Sequence, residues 1–341
     1  MRNLPFLLLV GSVLLIGCDK LQAVEDSPDA TKGKDIPSDV DDAAATIEKQ
    51  KQDAAVAAIR KLGGTVTFDE KNPAKPPIAV DLSLLPGIDG GLEHLQGLTS
   101  LQTLDLSLSK VTDAGLEHLN GLTSLQKLSL WKTNVTDAGL GHLKRLTNLQ
   151  TLLLYGTDVT DAGLVHLEGL TSLQKLDLPT DVTDAGLEHL RGLTSLQTLN
   201  LSDTKVTDAG LVHLKGLTNL RTLYLSGTNV ADAGLVNLKG LTSLQDLYLP
   251  PNVTDAGLEH LKGLTSLETL GLGRPNVTEA GLEHLKGLTS LRTLYLDAAK
   301  VTDGGMKGLQ SALPKCRIRT EWGWPVEFFE FLPQLTRPQR E

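Results

Sequence analysis

Aromatic residues make up only 4% of this 341-residue chain, and it has two cysteines and two methionines. A core built from it must therefore be aliphatic. Cys18 and Cys316 alone cannot make a disulfide framework. Basic residues are outnumbered, 32 Lys and Arg against 41 Asp and Glu, for a formal net charge of -9 and a pI of about 5.4. That balance argues against nucleic acid or an anionic membrane surface as partner, because either would want a basic stripe. The apolar run from Leu4 to Ile16 is about 13 residues, too short to span a bilayer comfortably.

What the chain has in abundance is leucine at a fixed period. The unit GLTSLQTLDLSLSKVTDAGLEHLN, starting at Gly97, returns with small edits from about Ile78 to Arg319. Its central aliphatic residues are Val80, Leu104, Leu128, Leu152, Leu176, Leu199, Leu223, Leu247, Leu270 and Leu294, at steps of 24 residues, twice 23. A period of that length enclosing L-x-x-L-x-L defines a leucine-rich-repeat solenoid: an α/β fold with a parallel sheet on a concave side and short helices on a convex side. Within one unit Leu101, Leu104, Leu106, Val111, Leu116, Leu119 and Leu122 are expected to point inward, each worth roughly 1.5–3 kcal/mol on burial. Thr112 or Asp113 is the expected helix cap. Ser109, Thr133, Thr157, Thr204 and Thr228 occupy a loop position where many leucine-rich repeats carry Asn, and their hydroxyls are expected to bond the backbone. Two units lose one residue in this loop, at Pro179-Thr180-Asp181 and Pro250-Pro251-Asn252, where proline fits a tightened turn. At the chain end Leu313, Cys316 and Ile318 match Leu291, Leu294 and Leu296 at a step of 22, which predicts an eleventh strand with Cys316 facing inward.

The phrase V-T-D-A-G-L-x-H-L resembles the repeats of bacterial leucine-rich-repeat proteins, notably secreted planctomycete ones. It is similar also to those of F-box leucine-rich proteins and, more distantly, of the ribonuclease-inhibitor group. The resemblance covers about 240 residues. It implies protein–protein recognition. No F-box precedes the repeats.

Ahead of the repeats, residues 1–17 read as a secretory signal, with Arg2 as the positive segment. Leu15-Ile16-Gly17-Cys18 resembles the lipobox of bacterial lipoproteins, which implies cleavage before Cys18, its lipidation and a membrane anchor outside the cytoplasm. A thioether at Cys18 cannot also pair with Cys316. Residues 18–41, polar and acidic, read as a flexible tether. Residues 42–72 hold a helix (Ile47, Val56, Ile59 and Leu62 on a helical period, Gly63-Gly64 as the stop) and a short strand at Thr65 to Phe68, together the expected cap on the first repeat. The repeat domain is 73–320. Trp322 and Trp324 are expected to cover its far edge, and 321–341 is a cap or tail.

The eight histidines, His94, His118, His142, His166, His189, His213, His260 and His284, share one repeat position, which Asn237 takes in another copy. Metal ligands must converge and a repeated column does not, so the reading is structural, with repulsion on protonation lowering stability below about pH 6. No Ser-His-Asp or Cys-His pair stands outside the repeat, and the glycines sit at repeat positions and do not form a phosphate loop. The expectation is a non-enzymatic chain with no cofactor and no metal. Its variable positions are the two columns that face outward on the strands. All four tyrosines, and the one tryptophan within the repeats, fall in those columns. The expected anchors are Trp131, Leu153 and Tyr155 as one patch, Tyr224 and Tyr248 as a second, and Tyr295 beyond. The expected function is a protein-binding scaffold of the cell envelope. Alternatives are a structural envelope protein assembled by solenoid packing and a glycan- or peptidoglycan-binding module.

Overall fold

The structure, a computed structural model, describes residues 39–272, 276–296 and 301–319, with side chains from Thr46 onward. The chain divides after Ala45. Of the first part only the opening of the first helix is described; the second part holds the repeats. The signal, the lipobox with Cys18, the expected tether up to residue 38 and the C-terminal Trp322 and Trp324 lie outside the described residues; residues 39–41, expected in the tether, open the first helix.

One sheet of twelve strands, in sequence order, runs through the repeats. The strands are β1 (Thr65–Phe68), β2 (Pro77–Asp81), β3 (Thr103–Asp105), β4 (Lys127–Ser129), β5 (Thr151–Leu153) and β6 (Lys175–Asp177), then β7 (Thr198–Asn200), β8 (Thr222–Tyr224), β9 (Asp246–Leu249), β10 (Thr269–Leu272), β11 (Thr293–Leu296) and β12 (Arg317–Arg319). β1 is antiparallel to β2, and every later pair is parallel. The register sets Val80 beside Leu104, Leu104 beside Leu128, and so on to Leu270 beside Leu294. Short strands result because the central leucine must enter the core while its two neighbours face out.

The seven inward positions of the unit are buried as expected, Leu101 through Leu122, and their equivalents build one continuous aliphatic core. Before the repeats, helix α1 (Asp39–Lys61) lays Ala55 and Ile59 into that core, whereas Ile47 and Leu62 stay exposed. β12 forms, but two residues further on than the 22-residue step predicts. Leu294 pairs with Ile318, and Cys316 falls just before the strand, where its N–H donates to Leu313 as that of Leu291 donates to Leu288. Cys316 is buried nonetheless, and desolvation raises its thiol pKa.

The helical side is mostly one turn deep. Asp113–Leu116 is α-helical and continues as a 3-10 turn over Glu117–Leu119, and other copies are 3-10 throughout, as at Gly210–Leu214. The expected capping role is only partly met. Thr160, Thr254, Thr278 and Thr302 accept from their own first turn, but Thr112 and Thr136 do not. The aspartate instead reaches forward to the next repeat. Asp184 accepts from both the N–H (2.7 Å) and the hydroxyl (2.6 Å) of Thr207, and Asp89, Asp113, Asp137, Asp161, Asp232 and Asp255 do the same to the following Thr. Asp208, opposite Ala231, keeps the N–H bond alone. The glycine of each A-G-L exists for this clasp: a Cβ at Gly210 would overlap the carboxylate of Asp184.

The loop hydroxyls behave more locally. Ser109 and Thr133 donate to the carbonyls of Leu106 and Leu130, three residues back in their own unit, so linkage between coils on this side rests with the backbone and the Asp–Thr clasp.

Gly210→Ala is expected to cost about 1–3 kcal/mol by overpacking. Because the crowding is with Asp184, adding Asp184→Ala should make the double variant less destabilised than the sum of the two single ones, as read by urea unfolding.

Candidate functional site

The outward strand columns carry the functional expectation, and the structure divides them. Trp131 and Tyr155 are half-buried at equivalent positions on adjacent coils, where the N–H of Lys132 donates to the carbonyl of Tyr155. Tyr295 is likewise partly open. Leu153, Tyr224 and Tyr248 are not: they are 3%, 7% and 5% exposed. The accessibility expected of these three is therefore corrected. The cause is the register. Tyr224 and Tyr248 are partners on neighbouring strands, and their rings stack with centroids 4.8 Å apart and planes 11° from parallel. Residues of one column sit a strand spacing apart, about 4.8 Å, so bulky neighbours cover one another's faces.

Small polar residues of the same columns are covered too. Ser107, Ser129, Asn200 and Ser202 are buried. Ser107 donates to Asp105 at 2.5 Å and shares a hydrogen bond with Ser129 at 2.6 Å. Asp105 is raised above the usual carboxylate range, chiefly by desolvation, with its bonds from Ser107 pulling the other way and the charge of Asp81 adding to the rise. Asp177 goes further: desolvation lifts it to about 6 against the pull of Lys175 and a hydrogen bond from Asn200. No sequence pattern flags Asp177, because its burial depends on which side chains stand on the two adjacent strands.

At the turn after each strand, Trp131 has Lys132 folded over its ring, the ammonium 4.5 Å from the centroid. The phenol of Tyr155 donates to Asp203 at 3.5 Å, and desolvation together with that carboxylate raises its pKa. The turn needs one residue of positive φ. Leu84, Leu108, Lys132 and Asp203 supply it at 64°, 57°, 53° and 60°, and Gly156 and Gly227 at 76° and 74°. The two loops with a missing residue, at Pro179 and Pro250, dispense with it.

Beside the strand starts run two polar grooves. One, of about 560 Å³, is lined by Gln174, Gln197, Asn219, Arg221 and Gln245 among others; the second, of about 490 Å³, by Ser100, Gln102, Gln126 and Gln150 among others. Amides and hydroxyls of this kind can hydrogen-bond a ligand. The histidines lie apart, half-buried in their column on the helical side. His118 bonds Gln96, His189 bonds Glu168 at 2.7 Å, and His213 accepts from Arg191 at 2.9 Å. Desolvation lowers the pKa of His166 and of His213, helped by Lys144 and Arg191 respectively. Among the described residues no group of three or more His, Cys, Asp or Glu is placed to hold a metal.

The fold so described is the leucine-rich-repeat solenoid. Family models of leucine-rich repeats match residues 97–119 and, as two copies, 194–237. Among solved structures, the chain is similar to an internalin from Listeria monocytogenes, with 24% identity, a TM-score of 0.55, and coverage of 68% of this chain and 71% of that one. A leucine-rich-repeat protein of Leptospira interrogans aligns at 19% identity and a TM-score of 0.48, over 67% of this chain and 62% of its own. Among curated proteins none matches the chain. At 24% identity the likeness to the internalin supports the fold alone.

The half-buried Asp177 and two of the histidines, His166 and His213, are shifted in opposite senses. Asp177 binds its proton more tightly folded than unfolded, so its penalty on the fold is absent at low pH, grows as pH rises past the ordinary carboxylate value and is complete above about 6. Asp177→Asn should stabilise the chain by about 1–3 kcal/mol at pH 7.5 and by much less at pH 4. His166 and His213 bind theirs less tightly folded, so their contribution is present above about pH 6.5 and is lost as pH falls. In the Asp177→Asn background the melting temperature should therefore drop between pH 7.5 and 5, and His166→Asn with His213→Asn should flatten that drop.

Proposed function

We propose that the chain is a non-enzymatic scaffold, anchored outside the cytoplasm through lipid on Cys18, that binds a protein through its concave strand side. The observation that carries the reading is the partly open pair Trp131 and Tyr155 on adjacent coils, in a molecule whose other repeat positions are nearly invariant in type. Large amphipathic rings left at a surface are the usual anchors of protein interfaces. Tyr295 extends the candidate surface, while Leu153 and the Tyr224–Tyr248 stack are buried and do not contribute contact area to it. Leucine-rich-repeat solenoids as a class bind proteins, and the sequence resemblance implies the same here. In this reading residues 42–72 cap the first repeat, 73–320 form the binding body, and 18–41 hold it off the membrane. Attachment in this reading is through the lipid; among the described residues no helix is long and apolar enough to cross a membrane.

The test is capture of envelope proteins by the full chain. Trp131→Ser with Tyr155→Ser should abolish retention of a specific partner while leaving the melting curve unchanged; equal retention by both chains would move the site elsewhere. Tyr224→Ser with Tyr248→Ser should instead lower stability by several kcal/mol, since two buried rings and their stacking are lost. Attachment is checked separately: Cys18→Ser should abolish incorporation of a labelled fatty acid in cells, and undiminished labelling would remove the anchor from the proposal.

A further inference from the structure

The turns after the first strands carry a feature that packing does not explain. Leu84 and Leu108 hold φ of 64° and 57°, a region that costs a non-glycine residue of order 1 kcal/mol or more. Glycine fills the same position at Gly156 and Gly227. Burial does not account for the leucines: Leu84 is 46% exposed and Leu108 is partly exposed. The register makes them neighbours of the aromatic pair. The N–H of Leu84 donates to Ser107, that of Leu108 to Trp131, and that of Lys132 to Tyr155. Gly156 lets the stem of Lys132 lie flat, since a Cβ there would meet its Cγ at 2.7 Å. The outcome is a rim, a row of apolar groups on four successive coils: Leu84, Leu108, Trp131 with the Lys132 stem, and Tyr155.

The charges beside the rim are mainly negative. Asp81 and Asp105 stand on the strand side of Leu84 and Leu108, Asp158 is exposed past Tyr155, and Asp203 closes the far end on the Tyr155 hydroxyl. Of the cations at these turns, Lys205 is paired with Asp181 at 2.6 Å, Lys132 keeps its charge drawn in over Trp131, and Lys110 stands exposed, so carboxylates outnumber the unpaired cations. An apolar stripe flanked by carboxylates fits a partner with an apolar stripe flanked by basic side chains. From Leu84 to Tyr155 is three strand steps, about 14 Å, which matches roughly ten residues of α-helix.

We infer that this turn-side rim is a docking surface for a basic amphipathic helix of a partner protein. The inference rests on the proposed protein-binding function and places part of the contact at the strand ends, on two leucines outside the strand columns. A minimal probe is a 14-residue peptide of Leu and Lys in helical spacing, with its Leu and Glu counterpart as control, titrated calorimetrically into the full chain. The Lys peptide is expected to bind, more weakly as salt is raised, and the Glu peptide is expected not to bind. Leu84→Gly with Leu108→Gly should weaken the Lys peptide at least tenfold while the melting temperature stays level or rises, because glycine suits the turn. Equal binding of both peptides, binding of neither, unchanged affinity in the double variant, or a lower melting temperature in it would each overturn the inference. A partner captured through Trp131 and Tyr155 alongside any of those results would leave the scaffold function standing and remove only this surface.

Discussion

Everything in this molecule depends on stacking flat coils one strand spacing apart. No coil can bury its own leucines, because each presents an upper and a lower face that only a neighbour can cover. On the strand side the spacing of about 4.8 Å is imposed by the parallel ladder. On the other side an α-helix with its side chains is about 10–12 Å across, far too wide for that rise. In most coils that side is a single α or 3-10 turn, and the Asp–Thr clasp ties successive turns together. The V-T-D-A-G phrase is thus one device in three parts. The carboxylate reaches forward, the threonine of the next coil donates twice, and the glycine two residues past that coil's aspartate leaves the carboxylate its room.

The same spacing limits what the strand side can display. Side chains in an outward column stand close enough to shield one another, so facing away from the core does not guarantee contact with water. Tyr224 and Tyr248 become a buried stack and Leu153 disappears beneath its neighbours. Asp177 loses enough hydration that its carboxyl is pushed up to about 6. Access differs from coil to coil: Ser107 and Ser202 are buried in the same strand-end column in which Trp131 and Tyr155 stay partly open. These two rings lie next to the left-handed turn residues.

This explains what can be read from the amino acids and what cannot. Leucine periodicity fixes the coil, its inward positions and the strand register, because those depend only on spacing along one chain. The last strand shows the limit of that method. Cys316 stands in for a leucine, and a match by spacing alone puts it two residues out of register, at the place Ile318 takes. The clasp is written in the sequence as Asp and Gly at fixed positions, yet a helix cap explains the same letters, and only the distance from Asp184 to Thr207 decides between them. Burial of the outward column cannot be read at all, since it depends on pairs such as Tyr224 and Tyr248 meeting from different repeats.

Near-identical repeats make a scaffold whose stability is spread evenly and whose specificity cannot be. A clasp and core repeated along the chain contribute much the same at every coil, so they say nothing about where a ligand sits. Distinctions must come from positions that escape the repeat's packing, and the turn after each strand is the freest of these. Two coils drop a residue and use proline, two use glycine, and others accept a strained leucine, lysine or aspartate. Strain retained where glycine would relieve it, beside open aromatic rings, marks the first coils as the place where this otherwise uniform surface departs from its own rules.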